Sequence, residues 1–503
     1  MKFILAARKS HLARLQAHTV GAALQKVVPN LEIDYRFRES LGDINLNDPL
    51  WKMPEKGVFT QDFVEDLRQG RCDLVVHSWK DLPLGVTPGT RIVATLPRED
   101  SRDLLLMRND KWREFMSSGG PVEILTSSPR RTYNLAPFLK TALPGSVTDI
   151  QFSPVRGNIP TRLSKLMSGS SHGLILAKAA LDRLLEAPQE EFRETAQMIR
   201  GVLRECRFMV LPLSMNPTAA AQGALAVEVA DKAKPELLAA LAQINCPVTF
   251  ETVLREREIL GSYGGGCHQK IGVSVLRRPY GEITSLRGLT DGGQVLDTRE
   301  LVPAGSKAAA PVPASQLFPL DPKDSSFFDR ILESPAKPGA RAFWVARADA
   351  WPESWKASES DVIWTAGLES WRKLAARGLW VNGSSEGLGE SESTQLAILM
   401  GESPRWTKLS HDEGVRSVDF DFYPTYQLKA KPLAPNLRGK THFYWMSGSA
   451  FMRALELSPE IKKAQHASGP GHTSALLRAQ LGESNPPAVF LSHSEWLKTY
   501  LAP

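Results

Sequence analysis

Three short stretches hold residue types that could do chemistry. In the first, the apolar run Leu74-Val75-Val76 leads into His77-Ser78-Trp79-Lys80-Asp81, setting a cation and a carboxylate side by side. If the run is a strand, both lie beyond its carboxyl end, where a carboxylate can accept an N–H from a bound molecule and stabilise a developing cation. The commoner fate of such a pair is an exposed turn ion pair of little energetic weight. The second stretch is Thr126-Ser127-Ser128-Pro129-Arg130-Arg131, followed by Val155-Arg156-Gly157-Asn158 and Thr161-Arg162. Adjacent hydroxyls and paired guanidiniums at a strand-to-helix junction make a cradle for carboxylate or phosphate, because backbone N–H groups and forked donors converge on an anion. One arginine alone is usually solvated or salt-bridged; recurrence at successive strand ends points to several acidic groups held together. The third stretch is Tyr263-Gly264-Gly265-Gly266-Cys267-His268, in which three glycines present one thiol on a loop that a bulky group can approach. A lone cysteine is ordinarily a small buried hydrophobe, the reading that fits Cys72, Cys206 and Cys246.

These residues need a scaffold that delivers them to strand ends. FILAA, SHLARLQAHTVGAALQKVV, LEIDYRF, FTQDFVEDLRQ and CDLVVHS alternate strand and helix patterns, the order of a doubly wound α/β sheet. A second set of the same kind starts near residue 124, and the segment from Arg207 to Ala230 returns to complete the first. The resulting expectation is a first lobe of residues 1–101 with 209–232, a second of 102–208, and a small α+β domain over 233–302 that bears Cys267. Residues 303–340, rich in Pro, Ala and Ser without apolar periodicity, read as a linker, and 341–503 as a further α/β module.

The 503 residues are 42% hydrophobic and 23% charged, which excludes a disordered or fibrous chain. The four cysteines lack CxxC spacing, so neither a zinc site nor a disulfide framework is expected. A net charge of +6 invites a nucleic-acid reading, but the arginines are not gathered into one basic run with interleaved aromatics. No run approaches the ~18–20 apolar residues of a membrane span. The apolar run FILAA before Arg8 is shorter than a signal peptide's core, so a cytoplasmic location is expected.

The blocks ARKSHLARLQA, KGVFTQDFVEDL, DLVVHSWKDLP, REDSRD, TSSPRR, VRGNIPTRLSKL, LILAKAALDRL, AQGALAVEV and GGGCHQKIG, in this order from Arg8 to about Thr298, resemble the porphobilinogen deaminase (hydroxymethylbilane synthase) family. The resemblance implies two lobes like type II periplasmic binding proteins and a third small domain. It also implies a dipyrromethane cofactor joined by a thioether to Cys267, and head-to-tail condensation of four porphobilinogens, with loss of ammonia, into hydroxymethylbilane. By the same resemblance Asp81 is the catalytic aspartate, assisted by Lys80, and both, with Arg130, Arg131, Ser127 and Ser128, hold the cofactor. Arg8, Ser10, Arg156, Arg162 and Arg183 hold acetate and propionate groups of substrate and growing polypyrrole; Lys52, Lys56 and Phe59 fall in or beside the family's active-site loop. The chain departs from the family at Leu125 and Pro129, at Ala220-Ala221, and at His268-Gln269-Lys270.

In the last third, Ile363-Trp364-Thr365-Ala366, Val381-Asn382-Gly383-Ser384, Tyr423-Pro424, Trp445-Met446-Ser447-Gly448-Ser449 and Gly469-Pro470-Gly471-His472-Thr473 resemble uroporphyrinogen-III synthase. That resemblance implies a bifunctional enzyme whose second module cyclises the product of the first, with a monomer expected. The competing readings are a noncatalytic docking tail, and a two-lobed binder of small anions with no reaction at all. Asp81 and Cys267 discriminate the last, since a pure binder needs no thiol on a glycine loop.

Overall fold

The computed structural model describes residues 1–39, 61–265, 269–305, 310–412, 414 and 420–502. It is mixed α/β and divides into two compact units. The first comprises Met1–Lys140, Gly145–Arg277 and Thr284–Arg299; the second comprises Thr141–Pro144, Arg278–Ile283 and Glu300–Pro503.

The first unit opens with β1 (Lys2–Arg8), α1 (His11–Val27), β2 (Glu32–Arg38), α2 (Gln61–Arg68), β3 (Leu74–Ser78) and β4 (Thr90–Ala94). It continues through β5 (Asp103–Arg108), α3 (Asn109–Ser118), β6 (Gly120–Leu125), α4 (Pro129–Ala142), β7 (Val147–Ser153) and α5 (Ile159–Ser168). Then come β8 (Gly173–Ala177), α6 (Lys178–Glu186), α7 (Arg193–Arg204), β9 (Cys206–Val210) and β10 (Leu225–Ala230). One sheet has the order β2-β1-β3-β10-β4 and the other β7-β6-β8-β5-β9. In each, three parallel strands stand beside one that runs antiparallel to its neighbours, β10 in the first and β5 in the second. The middle strands LVV and GLILA are apolar without alternation because both of their faces are covered. Helix α1 buries Ala17, Val20 and Leu24, spaced to fall on one face, against Phe3, Leu5, Leu74 and Val76.

Because β10 completes the first sheet from beyond β9, the chain crosses between the two sheets twice, at residues 95–102 and 211–224. The crossings are bonded to each other, Arg98 Nε to Gln222 O at 2.8 Å and Gln222 Nε2 to Ser101 O at 2.7 Å. Helices α8 (Pro235–Ile244) and α9 (Pro247–Ser262) follow, then a sheet of order β11-β12-β13 (Gly272–Arg278, Gly281–Leu289, Val295–Pro303). Pro247 starts α9 at a position where the missing N–H costs nothing.

The second unit contains β14 (Leu317–Phe318), β15 (Phe328–Leu332), β16 (Ala342–Val345), β17 (Val362–Thr365), α10 (Leu368–Ala376), β18 (Gly383–Ser384), β19 (Trp406–His411) and β20 (Phe420–Ala430). Beyond these lie β21 (His442–Trp445), α11 (Gly448–Leu457), β22 (Gln465–Ser468), α12 (His472–Leu481), β23 (Ala488–Val489) and α13 (His493–Tyr500). They build a six-stranded sheet, β15-β20-β19-β16-β17-β18, and a four-stranded one, β14-β21-β22-β23. Within 303–340, read from the sequence as a linker, β14 and β15 form edge strands of these sheets. Two and five residues are too short to show periodicity, yet Leu317, Phe318 and Phe327 are buried in the core of this unit. No single helix among the described residues is long and apolar enough to cross a membrane.

Candidate active site

The site grows from the end of β3, where Ser78 passes into one 3-10 turn, Trp79–Asp81. Trp79 is 1% exposed and packs with Ala221, Ala224, Ala226 and Val253, its ring 5.2 Å from that of Phe250. Its N–H donates to Ala224 O at 3.1 Å. With the tryptophan fixed in the core, Asp81 is left exposed at the carboxyl end of the sheet and Lys80 half-buried beside it. Burial holds the Lys80 ammonium below its ordinary pKa; Asp81 counteracts this, and Arg131 and Arg130 add repulsion.

Arg130 and Arg131 begin α4, immediately after β6. Pro129, one of the departures from the family pattern, occupies the first helical position and fits there because that N–H has no helical partner. Leu125, another departure, is simply the buried last residue of β6. Both guanidiniums are buried, at 4% and 7% exposed, and both bind Asp103, which is 0% exposed. Arg131 Nη2 reaches Asp103 Oδ1 at 2.6 Å and Arg130 Nη2 reaches Oδ2 at 2.8 Å. Asn216 Nδ2 and Gln222 Nε2 also donate to Asp103, at 2.8 and 2.9 Å. Arg130 Nη1 goes to Asn216 Oδ1 and Pro217 O, and Arg131 Nη1 to Ile175 O. The two guanidiniums, acting against the effect of burial, hold the Asp103 carboxyl far below the usual carboxylate range.

Arg156 lies in the loop from β7 to α5 and Arg162 in the first turns of α5, both half-buried. The loop is tightly formed: Gly157 takes φ +114, Asn158 Oδ1 caps α5 by accepting from Thr161 N at 2.9 Å, and Arg162 Nε donates to Gly157 O at 2.7 Å. Burial lowers Arg162 from its ordinary pKa, and Arg131 and Arg156 push the same way. Lys80 thus lies in the field of Arg131, and Arg162 in those of Arg131 and Arg156, while Asp81 adjoins Lys80 at the end of β3.

The remaining predicted residues are less free than the sequence suggests. Ser127 Oγ donates to Val155 O at 2.7 Å and accepts from Val155 N at 2.9 Å, bracing the Arg156 loop. Ser128 Oγ accepts from Arg131 N, and Ser10 Oγ caps α1 by accepting from Ala13 N. Arg183 Nη2 donates to Gly223 O at 2.7 Å in the second crossing. Arg8 ends β1, half-buried, where its backbone pairs with that of Arg38. Lys52, Lys56, Phe59 and Cys267 lie outside the described residues, as does His268. Gln269 is buried and ties back across the loop, its Nε2 donating to Tyr263 O at 2.7 Å.

Sequence reasoning singled out neither Asp103 nor Glu256. The Glu256 carboxylate is fully buried and takes Arg98 through both terminal nitrogens at 2.7 and 2.9 Å, Ala221 N at 2.8 Å and Val275 N at 3.0 Å. It thereby joins both crossings to α9 and β11. Ala221, where the family pattern has glycine, takes φ +66, a conformation an L side chain adopts only at a cost of about 1–2 kcal/mol. Its N–H to Glu256 helps hold it there. No group of His, Cys, Asp and Glu placed to hold a metal ion occurs among the described residues.

Against known proteins, residues 3–237 match the family model described as "Porphobilinogen deaminase, dipyromethane cofactor binding domain". The chain is 34% identical over 272 residues to a porphobilinogen deaminase of Chromobacterium violaceum, covering 54% of this chain and 79% of that one. It is 33% identical over 309 residues to one from Syntrophomonas wolfei, covering 61% and 90%. Among solved structures, the BenM effector-binding domain with benzoate is 13% identical over 52% of this chain and 93% of that one, at a TM-score of 0.26, too low to bear on the fold.

Proposed function

The chain belongs to the porphobilinogen deaminase family, and from that premise we propose that its first unit condenses four porphobilinogens into hydroxymethylbilane at the β3 turn, with Asp81 as the catalytic residue. One observation supports the assignment of the site: an exposed carboxylate adjoins Lys80 at a strand end, and Lys80 stands in the field of the Arg130–Arg131 pair. Each pyrrole brings two carboxylates, so substrate and product need many cations, and Lys80, Arg156 and Arg162 are set to supply them. Asp81 accepts the pyrrole N–H. It stabilises the positive charge that develops as the aminomethyl group loses ammonia, and it offers an acceptor for the proton lost when the new carbon–carbon bond forms. In this reading Arg130 and Arg131, fixed by Asp103, stand beside the site, and Arg183 and Arg8 bind carboxylates of the growing chain.

The matched domain is the one that binds dipyrromethane, and the surplus of guanidiniums fits a group bearing several carboxylates. When bound, that group supplies the pyrrole on which the chain is built, and in this reading Cys267 carries it by a thioether. The two lobes are of the type II periplasmic-binding-protein kind in the same reading, and the enzyme works as a monomer. The wide separation of Cys72, Cys206 and Cys246, all free, suits a reducing cytoplasm. Intact mass of the purified protein should exceed the sequence mass by one dipyrromethane, and Cys267→Ser should lose that excess. An unmodified mass without colour in Ehrlich's reagent would refute the assignment.

For the second unit we propose cyclisation of hydroxymethylbilane to uroporphyrinogen III. Supporting this, Ser447 caps α11 at the end of β21 by accepting from Ala450 N at 3.3 Å. Ser449 Oγ lies 3.5 Å from His411 Nε2, and Gly389 and Gly471 meet so closely that a Cβ on either would lie 2.6 Å from the other's Cα. The ends of β19, β21 and β22 thus converge on hydroxyls, imidazole and bare backbone, groups able to receive propionates. Incubated with porphobilinogen and then oxidised, the full chain should yield uroporphyrin III; the type I isomer alone would leave this unit a docking domain.

A further inference from the structure

We propose that Arg257 is a positioning residue for Asp81: its guanidinium fastens the Lys80–Asp81 turn to α9, the helix that leads into the Cys267 loop. The proposal rests on the reading of Asp81 and Cys267 given above.

Neighbouring residues of α9 serve two different segments. Glu256 is bound to the crossings, whereas Arg257 reaches the turn. Arg257 Nη1 lies 3.5 Å from Trp79 O and 3.3 Å from Leu82 O, and Nη2 donates to Pro83 O. These three carbonyls bracket Lys80 and Asp81, one before the pair and two after it. A planar fork with five donors can bind several carbonyls together; a lysine ammonium is a single point charge on a flexible stem. Arg257 makes these contacts at the expense of its own solvation, burial lowering it to about 10 with no carboxylate among the described residues offsetting the loss. Replacing a hydration shell with three neutral carbonyls is a poor bargain for stability alone, so the contact needs another rationale.

A second contact ties the same segment to the loop. A Cβ on Gly265, which has φ +63, would stand 2.2 Å from Leu84 Cδ1, so the residue after Pro83 packs directly on loop backbone two positions before Cys267. Arg257 at the helix and Leu84 at the loop thus set the distance between the Asp81 turn and the base of the cofactor loop. Errors of about 1 Å in such a distance can cost on the order of 100-fold in rate.

The test uses the full chain, loaded with cofactor, as Arg257→Met, Arg257→Lys and Asp81→Ala. Turnover is expressed per molecule carrying the dipyrromethane mass excess, and the covalent pyrrole adducts are counted by intact mass. In Arg257→Met, kcat per loaded molecule should fall at least about tenfold with KM nearly unchanged, and adducts should accumulate part-way through elongation. Arg257→Lys should recover part of the loss, and it serves as the readout if the methionine variant does not fold. Variants that load less cofactor but turn over at the wild-type rate per loaded molecule, with the wild-type adduct pattern, would overturn the proposal while an inactive Asp81→Ala left the site intact. A fully active Asp81→Ala would instead remove the reading on which the proposal stands.

Discussion

Arg130 and Arg131 start the helix after β6, and Arg156 and Arg162 flank the start of the helix after β7, the adjacent strand. The two pairs occupy equivalent places in the sheet, yet they are handled in opposite ways. The first is buried and shares one fully buried carboxylate, with neutral amides filling its remaining acceptor sites. The second is half-buried, with no carboxylate bonded to it among the described residues, and Arg162 is lowered by burial and further by its cationic neighbours. A buried pair with its counter-ion inside is structure; a half-buried pair without one is stabilised when an anion arrives. Residue type and place are the same, so the counter-ion decides the role.

The largest effect should come from Asp103→Ala. Two buried guanidiniums would lose their shared partner, at a cost of about 3–5 kcal/mol in urea unfolding of the first unit. Asp103→Asn extends this to pH. A carboxyl held far below its ordinary value stabilises the fold fully above the unfolded pKa of about 3.9, and that contribution is lost as pH falls through the lower folded value. The stability gap between wild type and Asp103→Asn should therefore be constant from neutral pH down to about 5 and shrink below about 4. A gap that widens in acid would contradict the assignment.

Arg162→Met and Arg156→Met should behave in the opposite way. Each should unfold within about 0.5 kcal/mol of wild type, since relief of repulsion offsets what is lost. Each should lower kcat/KM for porphobilinogen by about 10- to 100-fold, the worth of a charge-assisted hydrogen bond. Arginine variants that melt early but react normally would erase the distinction between the pairs.

The distinction was only half legible in the sequence. Apolar runs such as LVV and LILA announce central strands, and the family blocks name both arginine pairs, but nothing local says which pair has a counter-ion. Asp103 sits inside the block REDSRD, 27 positions from Arg130, and only the antiparallel placement of β5 beside β8 brings it under α4. Glu256 and Arg257 were visible as charges in LREREIL, while their partners at 98, 221, 275 and 79–83 depend on both crossings, on β11 and on the turn after β3. Short edge strands such as Leu317–Phe318 carry no periodicity to read. Pro129 and Ala221 looked like comparable departures from the family; the structure makes one a natural helix start and the other a strained link held from outside.

Ser127 gives the smallest effect and the finest test, because it stands between the two pairs. Its hydroxyl spends a donor and an acceptor on Val155, so it fixes the residue before Arg156 from the segment that leads to Arg130. Ser127→Ala should cost about 1–2 kcal/mol, since Val155 N–H and C=O both lose a partner. It should raise KM a few-fold through the loosened Arg156 loop, leave kcat nearly unchanged, and keep the dipyrromethane mass excess. Loss of that excess with unchanged stability would place the hydroxyl on the cofactor and move Ser127 from the braced side of the comparison to the ligand-facing side. Counter-ions would then not be enough to sort the residues of this site, and the hydrogen-bonded loop would have to be read as a state that binding rearranges.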